Sequence, residues 1–213
     1  MAAFTAFHDL IVPEVLQCPQ PLVDIHLRET ARHFCLSTSA WEVALDAINL
    51  VSGQAAYDLA SSESASDVLR LTQVVANGTL LWTDTDFKTE ASTDATPKYQ
   101  REDPPFFLTP DLLTITLADN EVPTADVVGG LVLTGVLRPS RTATTLPDFL
   151  LSQYSDAMRV GTLAKLLVMG DRPWTDRSMA AVYLSDYQRI LSFAAYQGAI
   201  GNTRKHLRVK KWG

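Results

Sequence analysis

Cysteine is nearly missing from this chain: Cys18 and Cys35 are its two thiols in 213 residues. That is too few for a disulfide scaffold, so a reducing cytosol is the expected setting. Cys18, beside Pro19, has no recognisable partner in the sequence to activate it. Histidine is scarce as well, with four residues, His8, His26, His33 and His206. His26 and His33 lie about two helical turns apart with Cys35 close by, but the i, i+4 or CxxC spacing of a metal site is missing. They read as ordinary helix residues, and no metal or cofactor is expected. A GxSxG elbow, a Walker loop, an HExxH helix and a dinucleotide fingerprint are all missing. No apolar run approaches the roughly 18 residues of a membrane span. The opening Met-Ala-Ala-Phe-Thr-Ala-Phe-His lacks the basic start and apolar stretch of a signal peptide, so neither a membrane partner nor a leader is expected.

Base is outnumbered by acid, 18 Lys and Arg against 24 Asp and Glu, for a net charge of −6. A dedicated duplex-DNA binder normally shows a broad basic face, which this balance opposes. The basic residues are also unevenly spread. Arg204, Lys205, His206, Leu207, Arg208, Val209, Lys210, Lys211 and Trp212 form a tail with five positive charges and no acid, leaving the rest of the chain at −11. An acidic body with a short basic, aromatic-tipped end has the outline of a docking arrangement, although a solvated, frayed terminus has the same composition.

The 46 % hydrophobic content supports a sizeable core, and the length fits one domain or a small domain with an insertion. Helical period dominates the two ends. Phe7, Leu10 and Ile11 suggest a short helix or ordered arm before Pro13. Pro21 suits the start of a helix over residues 22–36, whose broad face carries Val23, His26, Leu27, Thr30, Ala31, Phe34 and Cys35. Period 3.6 returns at Thr145, read as an N-cap with Asp148 three residues on, and Leu150, Tyr154, Ala157, Gly161, Ala164 and Val168 then step by four and three. A last helix is predicted over residues 173–200, opened by Pro173 or Trp174. Its main stripe is Ala180, Leu184, Tyr187, Leu191, Ala194 and Gly198, with Met179, Tyr183, Ile190 and Phe193 in a second row, and Gly198, Gly201 and Asn202 offer a stop. Tyr154, Met158, Trp174, Tyr183, Leu184, Tyr187, Leu191 and Phe193 are candidate packing residues between helices or between copies. The short turn at residues 170–173 predicts an antiparallel hairpin of the last two helices.

Between the helical ends the pattern is β-like. Strands are expected at 45–50, 68–75, 79–85, 112–117 and 131–137, where β-branched residues and threonine are common. Asn77-Gly78 is a hairpin signal. Gly129-Gly130 reads as a turn, and the polar residues 84–105 as a long loop. Asp84 with Asp86, and Asp119 with Glu121, are the acid pairs on offer, and each falls in polar sequence that suits solvated loops better than a glycosidase or metal site. The predicted fold is α+β, a single domain over 1–213. Residues 1–40 and 146–200 make a helical bundle, from the N-terminal helix and the C-terminal hairpin. Residues 41–145 are an inserted antiparallel β-module, and 201–213 an extended basic tail.

Some of these residues resemble a known family. Val12-Pro13-Glu14-Val15 with Cys18-Pro19, then Arg28-Glu29-Thr30-Ala31-Arg32-His33-Phe34-Cys35 and Trp41, is similar to the opening of tailed-phage head-to-tail adaptor (connector) proteins. Met169-Gly170-Asp171-Arg172-Pro173-Trp174-Thr175-Asp176, followed by Ala180, Ala181, Tyr183 and Tyr187, resembles the family's last helix start. The resemblance covers the helical ends and not the β-module. It implies a structural virion protein of the capsid–tail neck, assembled in the host cytoplasm, without enzymatic activity. Such proteins form a ring, typically of twelve copies, beneath the portal protein. Its helices build the wall, the C-terminal tail docks on the portal, and the β-module faces the tail, nozzle or collar component below. Genomic DNA passes through the lumen without sequence-specific binding, and an acidic lumen would repel its phosphates. Alternatives within the class are another collar or tail-completion ring. From other classes come a virion-associated lytic hydrolase, which needs converging acids, and a small nucleic-acid-binding module built on the tail, whose binding would depend on salt.

Overall fold

In the computed structural model, residues 1–59, 61, 63, 65–83, 106–109, 111–118 and 121–200 are described. The expected loop at 84–105, including Asp84 and Asp86, lies outside them, as do Asp119 and the basic tail 201–213. The fold is mixed α+β, and its chain divides into two compact units, 1–40 with 141–213, and 41–140.

The first unit is helical. Five α-helices are described: α1 (Thr5–Ile11), α2 (Gln20–Thr38), α3 (Asp148–Ser152), α4 (Ser155–Leu167) and α5 (Arg177–Ile200). A 3₁₀ turn, Val12–Glu14, follows α1. Strands β1 (Ala2–Ala3) and β10 (Thr145–Leu146) pair antiparallel and tie the start of the chain to the return of helical structure. Helix α4 lies at the centre: Ala157, Met158, Val160, Gly161, Thr162, Leu163, Ala164, Leu166 and Leu167 are all buried. A helix buried over most of its circumference needs neighbours on most sides, and α4 packs on α1, α2, α3 and α5. Phe7, Ile11, Leu27, Phe34, Leu146, Leu150, Met158 and Leu163 fill the core.

Helix α2 buries Val23, Leu27, Thr30, Ala31, Phe34, Cys35 and Thr38, with proline in its first turn and Ser39 left-handed (φ 54°) at its end. His26, expected on the apolar face, stays at its margin, half-buried. Three other expectations are corrected. Thr145 is in a strand, not an N-cap; Pro147 takes the cap position and no side chain caps α3. The single helix expected from 145 to 168 is two, broken at Gln153-Tyr154, where Tyr154 (φ −127°, ψ 25°) leaves helical geometry. The last helix starts at Arg177 rather than Pro173. Asp176 caps it, its Oδ1 accepting from the backbone N–H of Ser178 (3.1 Å) and Met179 (3.0 Å). Two exposed backbone donors satisfied by one carboxylate outweigh the pre-set φ of a proline three residues earlier.

Among the described residues the second unit has eight strands: β2 (Glu42–Ala44), β3 (Ile48–Leu50), β4 (Ala56–Asp58), β5 (Ser66–Ala76), β6 (Thr79–Thr83), β7 (Phe106–Leu108), β8 (Thr114–Leu117) and β9 (Val127–Pro139). Their order is β2-β9-β5-β6-β7-β8-β4, with β3 also on β9. Val74, Leu131, Leu133, Leu137 and Ile115 are among its buried residues. Asn77 (φ 48°) and Gly78 (φ 82°) join β5 to β6; two left-handed residues are what a type I′ turn requires. The expectation of a wholly antiparallel module needs one correction, because β6 and β7 pair in parallel. The strand expected at 45–50 is interrupted between β2 and β3, and Leu112 lies outside a strand with φ 57°. Gly129-Gly130 is not a turn but the first part of β9, where its pairing with β3 shifts register. Gly129 takes φ 63° and donates its N–H to Asn49 Oδ1 at 2.8 Å, a bulge geometry that suits glycine.

Candidate functional site

Helix α5 carries five of the eight packing candidates, Tyr183, Leu184, Tyr187, Leu191 and Phe193, and it presents three different faces. The first is spent inside its own unit. Ala180, Tyr187 and Ala194 are buried, seven residues apart and hence nearly in line on a helix. Two glycines let the backbone approach. A Cβ on Gly161 would lie 2.6 Å from Thr30 Cγ2 and 2.8 Å from the Tyr187 ring, and one on Gly198 would lie 2.7 Å from the Thr38 carbonyl oxygen. Gly198 is thus a close-approach position and not the helix stop; α5 runs on to Ile200. The Tyr187 hydroxyl donates to the Thr30 carbonyl oxygen (3.3 Å) and lies 3.1 Å from His33 Nδ1. Burial raises the Tyr187 pKa.

The second face borders a groove of about 580 Å3 between α4 and α5. Ala164, Val168, Leu184 and Leu191 give it an apolar lining, and Lys165 and Arg177 add basic groups beside the His33 imidazole. Lys165 Nζ lies 3.7 Å from Glu29 Oε2. Partial burial lowers the Lys165 pKa, with Glu29 opposing. His33 is also lowered, first by burial and then by the neighbouring ammonium of Lys165. The third face, with Met179, Val182, Phe193 and Tyr196, is exposed.

The two segments of the adaptor resemblance meet at Glu14. Its carboxylate accepts from Arg159 Nη1 (3.0 Å) and from the Tyr183 hydroxyl. The Arg159 guanidinium also lies 5.7 Å from the Tyr183 ring centroid. The hydrogen bond to Glu14 holds the Tyr183 phenol above its usual range, since it favours the protonated form. Within the 169–176 segment, the Thr175 hydroxyl donates to the Met169 carbonyl oxygen, and the Arg172 N–H donates to Thr175 Oγ1 at 3.1 Å. Those residues fix the turn between α4 and α5.

Of the other packing candidates, Met158 is fully buried, and Tyr154 packs against Phe34 with ring centroids 4.7 Å apart and the ring planes tilted by 51°. Trp174 and Leu191 are half-buried, whereas Leu184 and Phe193 are exposed. The candidate set therefore divides between side chains consumed by the unit's own core and side chains open to a partner. Sequence reasoning missed Glu14 and Arg159 as the clasp, and missed Val182, Asp186, Arg189 and Tyr196 on the open face. A strict alternation of three and four from Met179 to Tyr196 was the available signal for the latter.

Chemistry is thinly represented. Among the described residues no three His, Cys, Asp or Glu side chains converge on a common point. His26 sits by Glu29 and His33 by Tyr187. Cys35 is buried, which pushes its thiol up to about 12, and burial raises Cys18 too; thiols held protonated are poor nucleophiles. No described helix is long and apolar enough to cross a membrane. Comparison with family models and with curated proteins finds no match.

Proposed function

We propose that this chain is a structural component of a phage particle, a head-to-tail adaptor that stands as a ring of copies between the portal and the tail. The observation that carries the reading is the meeting at Glu14. The Val12–Glu14 segment and the helix carrying Tyr183 are 169 residues apart in sequence at that contact, and both belong to the resemblance. A shared sequence pattern that closes on itself in space is better support than two separate strings.

In this reading Leu184, Leu191, Trp174 and Phe193 are the surface that α5 and its approach turn offer to neighbouring copies. The basic residues 204–213 dock on the portal, the second unit faces a tail, nozzle or collar component, and DNA passes the lumen without base-specific contact. The test is electron microscopy of the protein mixed with its cognate portal, with and without residues 204–213. The full chain should give a ring stacked on the portal. The truncated chain should keep its circular dichroism spectrum and lose portal binding. Binding that survives the truncation overturns the docking role of the tail, and the absence of any stacked ring overturns the adaptor reading.

A further inference from the structure

The third face of α5 points away from its own core. Met179, Val182, Phe193 and Tyr196 on it are all exposed, at 40, 52, 61 and 65 %. With Asp186 and Arg189 they form one row, 179-182-186-189-193-196, whose alternating steps of three and four are the a and d positions of a heptad. Apolar residues occupy both ends of the row and a charged pair its middle. Asp186 and Arg189 already approach one another at 3.2 Å along the helix.

That order is self-complementary. If a second α5 is laid antiparallel on the row about a two-fold axis midway between Asp186 and Arg189, Met179 meets Tyr196 of the other copy and Val182 meets Phe193. Asp186 then meets Arg189, and each contact occurs twice, as an isologous interface demands. Four charges of alternating sign gather on the axis, flanked on both sides by apolar layers. A parallel pairing would place Asp186 on Asp186 and Arg189 on Arg189, and would bring the starts of two tails of five positive charges together. Charge thus selects the antiparallel arrangement. Ser178, Ser185 and Ser192, all exposed, run beside the row and leave room for close approach.

We infer that the free protein forms a two-fold dimer through antiparallel contact of α5 with α5. The inference rests on this helix face alone and stands independently of the adaptor reading. A two-fold contact closes at two copies, so it is a different contact from one that propagates round a ring. The strip is about 25 Å long and one helix wide, small for a stable interface, so the dimer should be concentration-dependent.

The test is sedimentation velocity on the full chain over a wide concentration range. The expected result is a monomer–dimer equilibrium. Asp186→Arg and Arg189→Asp should each weaken it by at least about tenfold, because either change puts four like charges on the axis. The combined D186R/R189D exchange restores the alternation and should return the dissociation constant to within a few-fold of the original. Circular dichroism should be unchanged in all three, since both positions are on the surface. A wild type that stays monomeric, a preferred species other than two, single variants that associate normally, or a double variant as weak as the singles would each overturn the inference.

Discussion

Placing a methyl group on Gly161 tests how the helical unit is closed. Two effects of opposite sign compete at this position. Alanine is the better helix former by about 1 kcal/mol, so Gly161→Ala on an open helix face would stabilise the protein. Here the new Cβ would stand 2.6 Å from Thr30 Cγ2 and 2.8 Å from two ring carbons of Tyr187. Neither neighbour is a loose end. Thr30 is fully buried and β-branched within a helix, so its χ1 is stiff. Tyr187 is 4 % exposed and held at its hydroxyl by Thr30 and His33. Overpacking of about 1–3 kcal/mol is typical, and two stiff neighbours put this site in the upper half of that range. After the gain in helix propensity, Gly161→Ala should lose about 1–2 kcal/mol. Urea unfolding with an unchanged m value measures it. Thr30→Ser removes the nearer of the two clashing groups, and the double variant should recover part of the loss, with a favourable coupling of roughly 1 kcal/mol. Full recovery is not expected, because the Tyr187 ring remains. A Gly161→Ala protein more stable than the parent would refute the reasoning, for it would mean that α2 and α5 do not close on this position.

Two further predictions concern charged and phenolic groups. Hydrogen bonds from Ser178 and Met179 depress the Asp176 pKa below the ordinary 3.8 of a free aspartate, so the stability it supplies is complete above that value and is lost as pH falls through the lowered folded value. Asp176→Asn keeps a capping oxygen without the titration, and thermal unfolding of this variant should depend less on pH below about 4 than that of the parent; identical pH profiles would count against the cap. Tyr183 should titrate above the usual tyrosine range, and Glu14→Gln should bring it down, as followed by NMR of ring-labelled tyrosine; no change on Glu14→Gln would mean that the clasp does not form.

Much of the helical unit is written locally. The buried face of α2 and the seven-residue recurrence in α5 are periodic patterns, and Asn77-Gly78 is a turn whose chemistry is contained in two residues. The missed features depend on partners distant in sequence. Leu150, Tyr154 and Ala157 keep helical spacing straight across the break between α3 and α4, so periodicity carries no trace of it. Thr145 and Leu146 became a strand because Ala2 and Ala3, more than 140 residues earlier, supply the pairing. The start of α5 turned on a choice between Pro173 and Asp176, both legitimate helix-opening residues; Thr175, bonded back to Met169 and Arg172, holds Pro173 in the turn and leaves the cap to Asp176. Glu14 and Tyr183 were each legible as part of a motif, but their contact, and the part Arg159 takes in it, were not.

Apolar residues lie on three sides of α5, and the sequence alone gives no order among them. The structure does, through the size of what lies opposite. Where α5 offers Ala180 and Ala194, and where Gly161 and Gly198 carry no side chain to hold the backbones apart, the helix lies close and its own unit consumes that face. Where it offers Leu184 and Leu191 against Ala164 and Val168, the same elements stand apart and leave a groove with His33, Lys165 and Arg177 at its edge. The basic side chains of Lys165 and Arg177 there disfavour the chain's own basic tail as an occupant. The remaining face has both signs of charge at its centre and is best matched by itself. Phe193 belongs to that last row and to the surface proposed for neighbours in a ring, and one side chain cannot serve both contacts at once. A two-fold dimer would therefore hold Phe193 covered in the free protein, and ring assembly on a portal would have to begin by separating the α5 pair. Variants that abolish the dimer without touching Phe193, such as Asp186→Arg, should then load onto the portal faster than the parent, while a ring that forms through other faces would leave the loading rate unchanged.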